Sequence, residues 1–199
     1  PKVTKSTLEL GLGFDYKWDL GWMNDTLKYY GRDPIYRKYH HNELTFSMAY
    51  FYSERFILPL SHDEVVHGKH TIVDKMWGNY DQKFAQAKNL YLYQFTHPGK
   101  KLNFMGNEIG MFREWDEARE MDWFLLGYSR HAAFARYFQD ISRIYSHHRA
   151  LSRYDYDHQY FRWIDADNGD QSVYSYYRED EQNIMVVVLN MTPASYEHF

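Results

Sequence analysis

Apolar residues along the first three quarters of the chain recur in short runs separated by stretches of helical period. Leu12-Gly13-Phe14-Asp15-Tyr16 reads as a short strand, and the amphipathic stretch from Leu20 to Tyr30 that follows reads as a helix closed by Gly31. Asp33-Pro34 is turn chemistry. Asn42 is placed to cap a second helix with Leu44, Met48 and Phe51 on one face, and a strand over Phe56 to Leu60 follows directly. From Asn79 the pattern Asn-x-x-Gln resembles a capping box; Phe84, Ala87, Tyr91 and Phe95 then share a helical face until His97-Pro98-Gly99 ends it. A further strand is expected from Leu102. The helix after it is the clearest, with Ser129 as cap and an apolar stripe of Phe134, Tyr137, Phe138, Ile141, Ile144 and Tyr145.

Beyond Arg153 the period shortens. Tyr160 to Ile164, Ser172 to Tyr177 and Ile184 to Leu189 read as antiparallel strands separated by polar turns such as Asp167-Asn168-Gly169. The alternating part implies parallel strands with right-handed crossovers, an α/β arrangement that fits either a doubly wound sheet or part of a (β/α)8 barrel. Periodicity does not choose between the two.

With 199 residues the chain can bury a full core. A start at Pro1 and a last strand close to Phe199 suggest a piece of a longer protein. The 23 basic and 27 acidic residues are interspersed and give a net charge of -4, unlike the basic footprint of a nucleic-acid binder. No apolar run approaches the roughly 18 residues of a membrane span. The absence of cysteine rules out disulfides and thiolate chemistry and fits a reducing compartment. Aromatic residues reach 20% of the chain, led by 20 Tyr, and their flat apolar faces with polar edges suit sugar rings as well as protein cores.

Candidate chemistry gathers where strands end. His62 and Asp63 follow the strand from Phe56, and in both candidate folds ligands bind at the C-terminal strand ends. The structural alternative is an Asp that caps the next loop and a His bonded to backbone. Glu64 and His67 carry a weaker signal and could simply order that loop. Glu108, Arg113, Glu114 and Trp115 lie together after the next strand, where they could line a sugar subsite or brace a long loop through Arg–carboxylate pairing. Trp18 is a candidate stacking platform just beyond the first strand. His62, His67 and His70 match no compact metal-ligand spacing. Asp165 to Asp170 starts like a calcium loop, but its Gly falls one place early and the closing Glu is missing, so a hairpin turn explains it better. No phosphate cradle and no Gly-x-Ser-x-Gly elbow occurs.

These phrases resemble the 1,4-α-glucan branching enzymes of the α-amylase superfamily. The likeness is carried by Gly11 to Trp18, Ser61 to Lys69, His97 to Lys101, Phe104 to Glu108, Arg113 to Asp116 and Asp122-Trp123, with Ser-His-Asp-Glu-Val-Val-His the most characteristic. Met111 stands where the family often has Gln, and Asn103 where it usually has an apolar residue.

The resemblance implies a partial (β/α)8 barrel, strands six to eight, in residues 1–153, and the start of an all-β domain in residues 154–199. It implies Asp63 as the third catalytic carboxylate, His62 on the same sugar ring, and Trp18, Glu64, Glu108 and Arg113 as substrate contacts, with an α-glucan as partner and no cofactor, metal, nucleic acid or membrane involved. A cytoplasmic location, or a plastid one in a plant, follows from the same resemblance. A retaining reaction needs a nucleophile and an acid/base about 5 to 5.5 Å apart; the family carries them on strands four and five, so the chain alone is expected to be inactive. Two other functions remain open, an amylase-type hydrolase and a non-catalytic glucan-binding module, beside a structural α/β domain. An opened barrel exposes strand edges and apolar surface, which predicts poor stability of the isolated chain.

Overall fold

Two three-stranded sheets, one parallel and one antiparallel, share a single hydrophobic core. The computed structural model describes residues 2–199. The parallel sheet has the order β1 (Lys17–Trp18), β2 (Phe56–Leu60), β3 (Lys100–Asn103), with Trp18 opposite Ile57 and Leu60 opposite Asn103. Between its strands lie α1 (Leu20–Tyr30), the short α2 (Asn42–Thr45) and α3 (Ser47–Tyr50), then α4 (Ile72–Lys75) and the long α5 (Tyr80–Thr96). After β3 come α6 (Ser129–His147) and α7 (Arg149–Ser152), and then the antiparallel sheet β4 (Phe161–Asp165), β5 (Val173–Glu179) and β6 (Ile184–Asn190).

The first strand lies later than the apolar run at Leu12 predicts. The N–H groups of Gly11, Leu12, Gly13 and Phe14 donate to Ser6, Lys2, Lys5 and Val3 carbonyls, so this segment folds back on the N-terminus and cannot pair with β2. Pairing starts at Lys17, whose N–H donates to the Arg55 carbonyl, and Trp18 therefore sits in the strand instead of beyond it. β3 begins at Lys100, two residues ahead of the expected Leu102. Both lysines find acceptors: Lys100 Nζ reaches the Ser152 carbonyl and Asp155, and Lys101 Nζ the nearby His97 carbonyl. Their stems pack while their heads are satisfied, which lets a polar pair open a strand.

Helix ends follow local chemistry unevenly. The capping box is formed, with Gln82 N–H on Asn79 Oδ1 at 3.0 Å and Asn79 N–H on Gln82 Oε1 at 2.9 Å. By contrast Asn42 and Ser129 are the first helical residues of their helices and make no side-chain cap, and the helix expected over residues 42–51 is broken at Phe46 into α2 and α3. Gly31 does follow α1 and donates its N–H to Leu27, but in an ordinary right-handed conformation. Asp19 caps α1 instead, Oδ1 accepting the Trp22 N–H at 2.8 Å. Of the stripe on α6, Phe134 and Ile141 are buried, while Ile144 is half exposed.

The base of the parallel sheet is held by residues 155 and 156. Asp155, 1% exposed, accepts from Gly99 N–H (3.1 Å), Lys100 Nζ (2.8 Å), Tyr145 OH (3.3 Å) and Arg178 Nη2 on β5 (3.1 Å). Arg178, equally buried, also donates to the Thr96 and Leu151 carbonyls. Next to it, the Tyr156 hydroxyl donates to the Phe56 carbonyl at 2.6 Å and accepts the Lys100 N–H at 3.2 Å. A second buried guanidinium, Arg37, ties the end of α1 to the end of β6 through the Tyr30 and Met191 carbonyls. His97 is pushed down to about 3 by burial and stays neutral, Nδ1 donating to the Pro98 carbonyl and Nε2 accepting from Ser47.

Burial alone would raise the Asp155 carboxyl, but Lys101, Arg178 and Lys100 outweigh it and hold it below the ordinary value. Stability from this carboxylate is therefore present above the ordinary value and lost as pH falls through the lowered one. Asp155→Asn, which strands Arg178 in the core, should cost about 3–5 kcal/mol at neutral pH in urea titrations, with the difference shrinking under strongly acidic conditions. Asp19 behaves in the opposite sense. Burial raises its carboxyl, and Oδ2 has no partner although Oδ1 accepts from Trp22 and Tyr50. Its penalty is complete above the raised value and disappears as pH falls toward the unfolded value. Asp19→Asn should therefore stabilise the chain at neutral pH, and the gain should fade as the titration is repeated at lower pH.

Candidate functional site

The C-terminal ends of β1, β2 and β3 lie opposite the braced base. β2 is apolar throughout and central in its sheet, and Pro59 within it pairs with Leu102. Pro59 has no N–H to give, and the buried Gln94 amide donates to the carbonyls of Leu58, just before it, and of Leu102, its partner. Beyond Leu60 the chain turns through Ser61 into a single 3-10 turn, His62–Glu64.

That turn presents two polar side chains outward. His62 Nε2 lies 3.2 Å from Asp63 Oδ1, with the side chains 47% and 61% exposed. The His62 ring rests against Phe104 and Trp115, at centroid distances of 5.7 and 6.3 Å, and those two rings meet edge to face at 5.2 Å. Leu60 O accepts from Phe104 N–H and from Asn107 Nδ2, which knits the loop after β3 to the end of β2. Asn103 is satisfied in place by Tyr91 OH at 2.8 Å and Asn107 Nδ2 at 3.2 Å, which accounts for a polar residue at the end of β3. Met111 is buried, its sulfur close over Gly106 where a Cβ would have to sit, and the φ of 94° at that position is one that glycine tolerates.

The remaining sequence candidates are distributed around this turn. Trp18, at the end of β1, is 39% exposed. Glu64 is largely covered, its Oε1 3.8 Å from Lys69 Nζ. Glu108 accepts the Gly106 N–H at 2.9 Å and so fixes the turn in front of it. Arg113 forks onto Asp122 through Nε and Nη2 and also donates to the Glu120 carbonyl, the loop-bracing arrangement. Sequence patterning assigned no individual role to Glu114 and Trp115. Glu114 accepts Gly68 N–H at 2.9 Å and His70 N–H at 3.0 Å, and these two donors hold its carboxyl below the ordinary value. Trp115 N–H donates to the Val65 carbonyl. The left-handed backbone at His67 and His70 that makes this possible leaves no mark in composition or period.

An exposed carboxylate beside an imidazole, backed by aromatic rings, accepts hydrogen bonds from hydroxyl groups and stabilises positive charge near it. Among the described residues no group of three or more His, Asp or Glu is arranged to hold a metal ion, and no helix is long and apolar enough to cross a membrane. The Asp165 to Asp170 stretch is the turn between β4 and β5, with Asp165 Oδ1 accepting the Asp167 N–H. Away from the strand ends, a cavity of about 150 Å³ opens between Tyr30, Arg37, Trp77, Asn89 and Met191. The carboxamides on its wall are already occupied: Gln86 bonds Arg37 and the Trp77 carbonyl, and Asn89 bonds Tyr30 and the Asn190 carbonyl.

Comparison with known proteins agrees with this layout. The family described as "Alpha amylase, C-terminal all-beta domain" matches residues 163–199, which take in most of the antiparallel sheet. Among solved structures, a cyclomaltodextrinase superposes with a TM-score of 0.66 at 20% identity, covering 93% of this chain and 30% of that one. The structure of AmyP in complex with maltose superposes at 0.64 with 12% identity, covering 90% and 40%. At these identities the likeness is one of fold. In sequence, the 1,4-alpha-glucan branching enzyme GlgB of Bacillus cytotoxicus is 51% identical over 201 residues, and that of Bacillus cereus strain AH820 is 50% identical over 201. Each alignment takes in 100% of this chain and 31% of the relative, so the chain spans about a third of the length of the curated relatives it matches. Over its whole length, therefore, the chain is homologous to a part of the 1,4-α-glucan branching enzymes, and it shares its fold with the cyclomaltodextrinase and AmyP structures.

Proposed function

We propose that this chain serves as the C-terminal part of the catalytic barrel, with the start of the following β domain, in an enzyme that cleaves α-1,4-glucan and transfers the segment to a 6-hydroxyl, making α-1,6 branches. The observation that carries this is identity of 50–51% to branching enzymes along the entire chain. On this proposal β1, β2 and β3 are the sixth, seventh and eighth barrel strands. Residues 1–153 belong to the barrel and residues 154–199 to the β domain.

Asp63 then contacts hydroxyls of the distorted sugar and stabilises the oxocarbenium-like transition state, with His62 donating to the same ring. Support comes from their exposure at the end of β2 and from their mutual distance of 3.2 Å, which sets the imidazole and carboxylate as one unit. Such contacts accelerate the reaction only so far as they strengthen at the transition state. Trp18 offers a stacking face on the neighbouring strand end. Glu64, Glu108 and Arg113 complete the substrate rim, the last two chiefly by keeping the loop after β3 in shape. The retaining pair, nucleophile and acid/base, comes from the other two thirds of such an enzyme. No carboxylate of this chain replaces it, so the 199 residues alone are catalytically inert.

The test substitutes this chain for the matching 201 residues of the Bacillus cereus enzyme and incubates the full-length product with amylose. New α-1,6 anomeric proton signals are expected by NMR, reduced on the order of 100-fold or more by Asp63→Asn. Reducing ends without branch signals would assign hydrolysis instead. Glucan binding without any bond cleavage would assign a binding module.

A further inference from the structure

The loop between β2 and α4 carries Asp63, and its shape is held from outside chiefly by Glu114, with Lys75 Nζ also donating to the Lys69 carbonyl. Three residues in four adopt left-handed backbone there: His67 at φ 59°, Gly68 at 78° and His70 at 67°. L-residues avoid this region, so the loop does not hold such a shape by its own preference. Its consequence is that the Gly68 and His70 N–H groups, on either side of Lys69, face the same way and form a small anion-binding concavity.

Glu114 fills that concavity. Oε2 accepts the Gly68 N–H at 2.9 Å and Oε1 the His70 N–H at 3.0 Å, one donor to each oxygen. The carboxylate is rooted at both ends of its own segment: Arg113 is locked onto Asp122, and Trp115 N–H holds the Val65 carbonyl at 3.0 Å. Trp115 also carries its ring against His62. Between the two clamped residues, Lys69 reaches back, and its Nζ donates to the Asp63 carbonyl at 2.8 Å. A continuous path of hydrogen bonds thus runs from the loop after β3, through Gly68 and His70, to the backbone of Asp63.

We propose that Glu114 is a positioning residue for Asp63: by clamping the Gly68 and His70 amides it sets Lys69, which in turn fixes the Asp63 backbone and hence the direction of its carboxylate beside His62. The proposal rests on the assignment of Asp63 to substrate contact made above. Both Glu114 oxygens are taken by main-chain amides, so it acts through Lys69. Two of its close variants cannot reproduce the clamp. Gln at position 114 offers one carbonyl oxygen for two N–H donors and turns an amide N–H toward the other, and Asp withdraws both oxygens by a methylene.

The experiment uses the full-length enzyme carrying this chain, with Glu114→Gln, Glu114→Asp, Lys69→Met, the Glu114→Gln/Lys69→Met pair and Asp63→Asn. Each single change at 114 or 69 should lower kcat about 10- to 100-fold, the range expected for a small misplacement of a reacting group, with KM within about twofold. The melting midpoint should hold. Because both residues act along one path, the double variant should fall no further than its weaker parent. A kcat within about twofold of the parent enzyme, losses that multiply in the double variant, or a lowered melting midpoint with full kcat at lower temperature would each overturn the proposal. Lys69 is half exposed, so its variant tests the path even where a change at 114 disturbs folding. Asp63→Asn separates the two ideas: full activity in that variant overturns the assignment of Asp63, whereas loss there with no effect at 114 overturns the positioning role alone.

Discussion

A carboxylate removed from water needs a donor for each of its lone pairs, and Asp155 has four: a backbone amide, a lysine, a tyrosine and an arginine. These donors come from the end of the α5–β3 connection, from β3 itself, from α6 and from β5. One buried group therefore specifies how the parallel sheet, the helix after it and the antiparallel sheet are set against one another. The desolvation of such a pair is costly, and its net contribution to stability depends on this completeness. Arg178 gives Nη1 and Nη2 to two carbonyls and the carboxylate while its Nε finds no acceptor, and Tyr156 adds bonds to the starts of both β2 and β3.

Bracing the strands at their N-terminal ends leaves the opposite ends to loops. There the polar groups are of another kind: His62 and Asp63 are exposed, with His62 Nε2 3.2 Å from Asp63 Oδ1, and are backed by Phe104 and Trp115. In parallel α/β sheets generally, ligands bind at the C-terminal strand ends, away from the face that stabilises the fold. In this chain the division is visible in burial, with Asp155 and Arg178 each 1% exposed and Asp63 61% exposed. The loops that connect the chemical ends are themselves cross-braced, β2 to β3 through Asn107 and Glu114, so that exposure of the candidate site does not make it loosely held.

Much of this was legible in the residue pattern, for identifiable reasons. β2 is a short apolar run bounded by polar residues, α5 has a capping box and a Pro-Gly stop, and the three antiparallel strands are separated by Asp-, Asn- and Gly-rich turns; each is a local signal. The displaced first strand was not legible, because the competing hydrogen bonds of Gly11 to Phe14 go to residues of the N-terminal segment, Lys2 to Ser6, and do not follow from local period. Lys100 masked the start of β3 because its acceptors, the Ser152 carbonyl and the Asp155 carboxylate, are tertiary. Among site residues, His62 and Asp63 declared themselves by following an apolar strand. Glu114 did not, since its partners are main-chain amides in a left-handed loop 44 and 46 residues earlier.

Because Asp155 joins the two sheets, the chain should open as one cooperative unit despite containing two kinds of sheet. Native-state hydrogen exchange addresses this directly, comparing the Gly99 amide, which Asp155 accepts, with the amides of Leu58 in β2 and Tyr176 in β5. A common opening free energy, equal to that of global unfolding, is the expected result. Exchange of Tyr176 through a separate, lower-energy opening that leaves Leu58 and Gly99 protected would contradict it.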